Sequence, residues 1–138
     1  MDIVTRAREF AIQYHGYQKY GDKPYVYHLD CVFNKLDCSF PYNEKYGCVA
    51  YLHDILEDTD CEYEDLEKNF GFVVADNVLR LTKDKQIDYQ DYITIVKGSL
   101  ISHAVKIADT KANLTQSVLD NDKGRIVKYA KQMVLLES

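Results

Sequence analysis

The chain has 138 residues, a net charge of −5, and 46% hydrophobic and 28% charged content, which suits one soluble globular domain with a single sizeable core. The acidic balance lacks the basic footprint of a protein that binds nucleic-acid polymers. No apolar run approaches the roughly 18 residues a membrane span needs, and Asp2–Glu9 is too polar for a secretory leader.

Apolar residues recur at helical spacing nearly throughout. An amphipathic helix is predicted over about Asp2–Tyr14, with Ile3, Ala7, Phe10, Ala11 and Tyr14 inward. Gly16–Pro24 reads as a loop. A second helix, about Val26–Leu36, carries His28, Val32 and Leu36 on one face. Pro41 marks a turn, and a third helix runs from about Asn43 to Asp58. Thr59–Glu62 turns into Tyr63–Asn69, and Phe70-Gly71 breaks the chain before a helix over about Val73–Leu81. A polar connector, Lys83–Asp88, leads to the longest helical region, about Tyr89–Ser117, kinked near Gly98. A last helix spans about Arg125–Leu136. Val73-Val74 is too short for a strand, so the expected fold class is all-α, a single domain over 1–138.

Cys31, Cys38, Cys48 and Cys61 show no C-x-x-C spacing and read as reduced thiols, with a cytoplasmic setting. Of twelve tyrosines, Tyr20 and Tyr25 are the best placed to touch a substrate.

The chemistry concentrates in Leu52–Thr59, where His53-Asp54 precedes Glu57-Asp58 by one turn. At 3.6 residues per turn His53 shares one face of this helix with Glu57, and Asp54 with Asp58, so all four leave a single helix in nearly the same direction. Leu52, Ile55 and Leu56 are interleaved with them, so the polar cluster is expected at the edge of the core. Buried ionisable groups are costly unless paired or bound to a cation, which makes a metal the economical explanation. His28, near the start of the second helix, and Asp109, after an apolar stretch, are further candidates; Asn113 shares a face with Asp109. Two imidazoles with two carboxylates suit Mn²⁺, Fe²⁺ or Zn²⁺.

Five ordered blocks carry a resemblance: Ala11–Gln18, Pro24-Tyr25-Val26-Tyr27-His28, Leu52–Thr59, Phe70-Gly71 with Leu81-Thr82-Lys83, and Lys106–Leu114. The chain resembles the HD-domain metal-dependent phosphohydrolases, and among them the hydrolase module of RelA/SpoT-type alarmone enzymes and the small alarmone hydrolases. The resemblance implies a compact multi-helix HD-domain fold in which His28, His53, Asp54 and Asp109 ligate one divalent ion, typically Mn²⁺. It implies that Glu57 and Asp58 position and deprotonate the attacking water and that Asn113 bonds the nucleotide. The implied reaction removes the 3′-pyrophosphate from guanosine tetra- or pentaphosphate. The implied partner is a phosphorylated purine nucleotide, without nucleic acid or membrane; the oligomeric state is not implied.

The loop Lys19-Tyr20-Gly21-Asp22-Lys23 is shorter than the family's and lacks its purine-stacking arginine. Tyr20 is the substitute for the stacking, and Lys19 or Lys23 for the charge, although lysine is no equivalent of arginine at such a site. With about 25 residues after Asn113, late helices that wall the pocket in longer relatives are missing or reduced. Two alternatives therefore stay open: a nucleotidase or phosphohydrolase acting on another nucleotide, and a non-catalytic alarmone-binding or antitoxin-like partner. Intact Glu57-Asp58 speaks against the second. His15 reads as a packed residue before a functional one, and His103 as structural or exposed. Lys106 is either a phosphate contact or half of an ion pair.

Overall fold

The computed structural model describes residues 1–36 and 43–138; the turn expected at Pro41, and Cys38, lie outside them. Asp2 starts α1 (Ile3–His15) by accepting the Thr5 N–H at 2.8 Å, and Gly16, at φ +55°, ends it. A two-residue antiparallel pair follows, β1 (Lys19–Tyr20) with β2 (Lys23–Pro24). The sequence showed no strand here because two residues are too few for an alternating pattern. Pro24 precedes α2 (Tyr25–Asn34). Later elements are α3 (Glu44–Leu52), α4 (Ile55–Asp58), α5 (Tyr63–Phe70), α6 (Phe72–Leu81), α7 (Tyr89–Lys97), α8 (Leu100–Leu119) and α9 (Lys123–Glu137). The fold class is all-α apart from the small hairpin.

Two expected long helices are each divided. The helix expected over Asn43–Asp58 stops at Leu52, and Asp54, at φ −100° and ψ −1°, turns the chain into the short α4. The region expected over Tyr89–Ser117 breaks at Gly98-Ser99, where Ser99 is extended. Side chains of α6 serve both exposed ends of that break. Asn77 Oδ1 accepts the Ser102 N–H at 3.1 Å and the Ser99 hydroxyl at 2.6 Å, while Arg80 donates to the Ile95 carbonyl at 3.0 Å. Arg80 lies so close that a Cβ on residue 98 would stand 2.6 Å from its Nη1, so a larger residue there would displace the guanidinium from this cap. Partners distant in sequence therefore satisfy the interrupted helix ends.

Leu29 and Val32 of α2, Val49 and Leu52 of α3, Val78 of α6, Val96 of α7 and Val105 of α8 form the centre of the core. The long α8 packs against α2, α3, α6, α7 and α9, and α1 lies across α3. This brings α2, the α3–α4 break and the middle of α8 together. His103 Nε2 lies 2.8 Å from the Leu136 carbonyl, tying α8 to α9 in the structural role expected of it. Among the described residues, no helix is long and apolar enough to cross a membrane.

A charged triad also joins α1, α2 and α3. Arg8 donates two hydrogen bonds to Asp30, at 2.9 and 3.0 Å, and the Tyr51 hydroxyl adds a third at 2.7 Å. The Arg8 bond is the main reason the Asp30 carboxyl sits below its usual range. A depressed folded-state pKa contributes stability above the unfolded value, lost as pH falls through the folded value. Asp30→Asn should therefore lower stability at neutral pH, and the difference from the parent should shrink as pH drops through and below the ordinary carboxylate value. Urea unfolding at a series of pH values checks this; a difference independent of pH would refute it.

Candidate metal centre and active site

His28 lies in the first turn of α2, His53 caps the end of α3, and Asp109 sits midway along α8. All three are buried. One ligand atom from each falls within 4.8 Å of the others, a triad able to hold a divalent cation. His28 Nε2 stands 2.9 Å from Asp109 Oδ1, and His53 Nε2 stands 3.3 Å from the same oxygen. Asp54 adds its Oδ2 at 3.1 Å from His53 Nε2. The break between α3 and α4 thus places two neighbouring residues on one cluster.

The donor set fits a cation. His53 Nδ1 lies 2.7 Å from the Ala50 carbonyl, which can only accept, so the proton is on Nδ1 and Nε2 faces the carboxylates. That buried Nε2 has no hydrogen-bond partner among the described residues. Burial works against charge on His53, but Asp54 and Asp109 outweigh it and raise its pKa well above the ordinary imidazole value. The cluster therefore attracts positive charge. Burial likewise opposes ionisation of Asp109, yet Lys106 and His53 hold its carboxyl well below the usual range. Lys106 Nζ lies 3.3 Å from Asp109 Oδ2 and 5.6 Å from the Tyr92 ring centroid. Of the two readings left open for Lys106, the geometry is that of the ion pair.

Several supporting groups were not singled out from the sequence for the part they take. Tyr25, one of the two tyrosines best placed to touch a substrate, donates its hydroxyl to Asp54 Oδ2. His15 is packed as expected, its ring 4.6 Å from that of Tyr25, and its Nδ1 is 2.8 Å from Gln18 Oε1. Gln18 in turn donates to Asp58 Oδ2 at 3.4 Å. No spacing rule links positions 15, 18 and 58, so only the Ala11–Gln18 block hinted at these contacts.

The four acids and bases of 53–58 do not share one helix. Glu57 and Asp58 are exposed on α4, and Glu57 Oε1 accepts the Lys83 backbone N–H at 2.9 Å. The Asp58 N–H still bonds the Asp54 carbonyl at 3.0 Å, which keeps these two residues one turn apart. Partial burial and the charge of Asp54 push the Asp58 carboxyl above its usual range. Tyr20 lies flat against His28, with centroids 4.4 Å apart and planes 13° apart, and donates its hydroxyl to Asn113 Oδ1 at 2.7 Å. Asn113 Nδ2 donates to Asp109 Oδ1 at 3.3 Å. The structure thus brings Tyr20 and Asn113 to the cluster, while Lys19 and Lys23 occupy exposed hairpin positions outside it. Lys23 lies over Tyr27, 5.1 Å from the ring centroid.

No protein-family model matches the chain. A guanosine-3′,5′-bis(diphosphate) 3′-pyrophosphohydrolase of Aquifex aeolicus is 40% identical over 88 residues, 63% of this chain and 12% of that protein. The pyrophosphohydrolase MESH1 of Drosophila melanogaster is 35% identical over 81 residues, 55% of this chain and 45% of that protein. The chain thus matches less than half the length of either relative. A solved structure, described as a metazoan ortholog of SpoT that hydrolyzes ppGpp and plays a role in starvation responses, superimposes with a TM-score of 0.79. It shares 26% identity, over 99% of this chain and 86% of that one. By sequence this chain is similar to ppGpp 3′-pyrophosphohydrolases, and it shares the HD-domain fold of the solved ppGpp hydrolase.

Proposed function

We propose that the chain hydrolyses the 3′-pyrophosphate of guanosine tetra- or pentaphosphate, yielding GDP or GTP and pyrophosphate. The buried His28–His53–Asp109 triad, with an unpartnered Nε2 on His53, is the observation that carries the reading. His28, His53, Asp54 and Asp109 are the assigned ligands of one divalent cation; a mixed imidazole–carboxylate set suits Mn²⁺, Fe²⁺ or Zn²⁺, and the family resemblance favours Mn²⁺. When bound, such a cation polarises a phosphoryl oxygen and acidifies water.

The protein's own groups do the rest. The Ala50 carbonyl sets the His53 tautomer, and the Tyr25 hydroxyl holds the Asp54 carboxylate in place. Lys106 balances the charge of Asp109 from the other side. Glu57 and Asp58, one turn past the ligand pair, orient the attacking water and accept its proton. Asn113 and Tyr20 meet the nucleoside portion of the substrate beside the cluster, and Lys19 and Lys23 supply positive charge from the hairpin. A cytoplasmic location fits reduced thiols at Cys31, Cys48 and Cys61.

The test is incubation of the purified chain and Mn²⁺ with guanosine tetraphosphate, followed by anion-exchange chromatography. GDP and pyrophosphate should appear and be lost on chelation. Orthophosphate in place of pyrophosphate would indicate a different phosphohydrolase, and metal-loaded protein without turnover would indicate a binding partner.

A further inference from the structure

Asp58 is exposed on the four-residue α4. An exposed carboxylate turns freely about its side-chain bonds, whereas a group that takes a proton from water must be aimed. The groups able to aim it stand at the end of α1. Gly16 ends that helix at φ +55°, and Gln18 comes back against its last residue. The Gln18 backbone N–H donates to the His15 carbonyl at 3.0 Å, and its carbonyl accepts the Tyr25 N–H at 3.1 Å. From this pinned backbone the side chain reaches two groups. Its Oε1 lies 2.8 Å from His15 Nδ1, and its Nε2 donates to Asp58 Oδ2 at 3.4 Å.

We propose that His15 and Gln18 are positioning residues for Asp58. His15 fixes which way the Gln18 amide faces, and the amide holds Asp58 Oδ2 so that Oδ1 is turned to the attacking water. This rests on the hydrolytic reading above and assigns two residues which that reading leaves without a role.

A glutamine amide by itself can face either way, because its two ends differ only in donor and acceptor. Here the chemistry at both ends settles the direction. A carboxylate only accepts, so the nitrogen faces Asp58. The oxygen then faces His15, and Nδ1 carries the proton between them. The His15 ring is itself held: it is buried, and its centroid lies 4.6 Å from that of Tyr25, whose hydroxyl bonds Asp54 Oδ2. At 3.4 Å the Gln18–Asp58 bond is long. It restrains the carboxylate only if the amide is gripped from its other end, which the shorter His15 bond does. A neutral amide also suits the task, since lysine or arginine there would bind the carboxylate as a tight ion pair and compete with the proton. Glu57 is held separately, by the Lys83 N–H.

The test joins steady-state hydrolysis of guanosine tetraphosphate with Mn²⁺ to NMR of the intact chain with diamagnetic Zn²⁺ in its place. Gln18→Met should lose about tenfold in kcat, with KM within about twofold and metal content unchanged, as expected for a slightly mis-aimed reacting group. His15→Phe keeps a ring against Tyr25 but removes the Nδ1 donor, and should lose a similar factor. The double variant should lose no more than either single one, because both act through one contact. His15→Asn puts an amide N–H near the place of Nδ1 and should recover most of the rate. Gln18 is half-buried, so Gln18→Met is expected to fold, and thermal melts check every variant. In the spectra, Asp58→Asn should shift the Gln18 side-chain amide, and Gln18→Met should shift His15 Nδ1. Folded, metal-loaded variants with parental kcat, losses that multiply in the double variant, or resonances unmoved by those substitutions would each overturn the proposal. A parent that leaves guanosine tetraphosphate intact refutes the hydrolytic reading, and the spectra then decide whether His15 orients Gln18 onto Asp58. A working parent with indifferent variants removes the positioning roles alone.

Discussion

Asp109→Ala should abolish divalent-metal retention and turnover together, with a loss of at least about 10³-fold in rate, because several kcal/mol of transition-state stabilisation depend on the metal. Asp109 Oδ1 lies within 3.3 Å of both His28 Nε2 and His53 Nε2, so its removal takes away the anion both rings face. It also strands Lys106. Burial works against the Lys106 charge, and Asp109 is the main group that outweighs it and keeps the pKa high. Breaking a buried pair from one side costs about 3–5 kcal/mol, so this variant should also melt earlier. His53→Ala separates the two effects, because it leaves the Lys106–Asp109 pair in place. It should keep most of the stability and still lose the metal and the activity. Metal content by mass spectrometry, with thermal melts of both variants, decides the matter. A His53→Ala protein that retains stoichiometric Mn²⁺ and full turnover would refute the assigned centre.

Glu57→Gln should lose about 10²- to 10⁴-fold in rate, the usual contribution of a positioned general base, while holding its metal. The Glu57 carboxylate accepts the Lys83 backbone N–H, and a glutamine oxygen can accept the same bond. The fold and the ligand cluster are therefore expected to stay as they are, and only proton acceptance is removed. The loss should appear in kcat with KM little changed, since the residue acts on the water and not on ground-state binding. If Glu57→Gln keeps full activity and Asp58→Asn does not, proton transfer belongs to Asp58.

The parts legible in the sequence were those encoded locally. Helical periodicity placed α1, α2, α5, α6 and α9 within a few residues, because their apolar faces repeat along one continuous segment. The blocks Ala11–Gln18, Pro24–His28, Leu52–Thr59 and Lys106–Leu114 contain most of the residues found around the cluster, whereas Tyr20, which bonds Asn113 there, lies outside all of them. The two divided helices were not legible. Nothing between Asn43 and Asp58 is a strong helix breaker past Gly47, and the turn at Asp54 goes with contacts to the Ala50 carbonyl, Tyr25 and Asp109. Gly98 hinted at a kink, but the full break depends on caps donated by Asn77 and Arg80 of α6.

Residue types and local spacing were thus enough to establish an all-α chain, a metal-competent His/Asp set and acids one turn beyond it. Tertiary packing alone decided which atoms face one another: Nε2 of His53 toward two carboxylates, Tyr25 on Asp54, Lys106 under Asp109, and Tyr20 on Asn113. The physical reason is range. Periodicity and capping act over a few residues, whereas the pairing of buried charge and the filling of hydrogen bonds depend on helices that meet only after the chain has folded around α8.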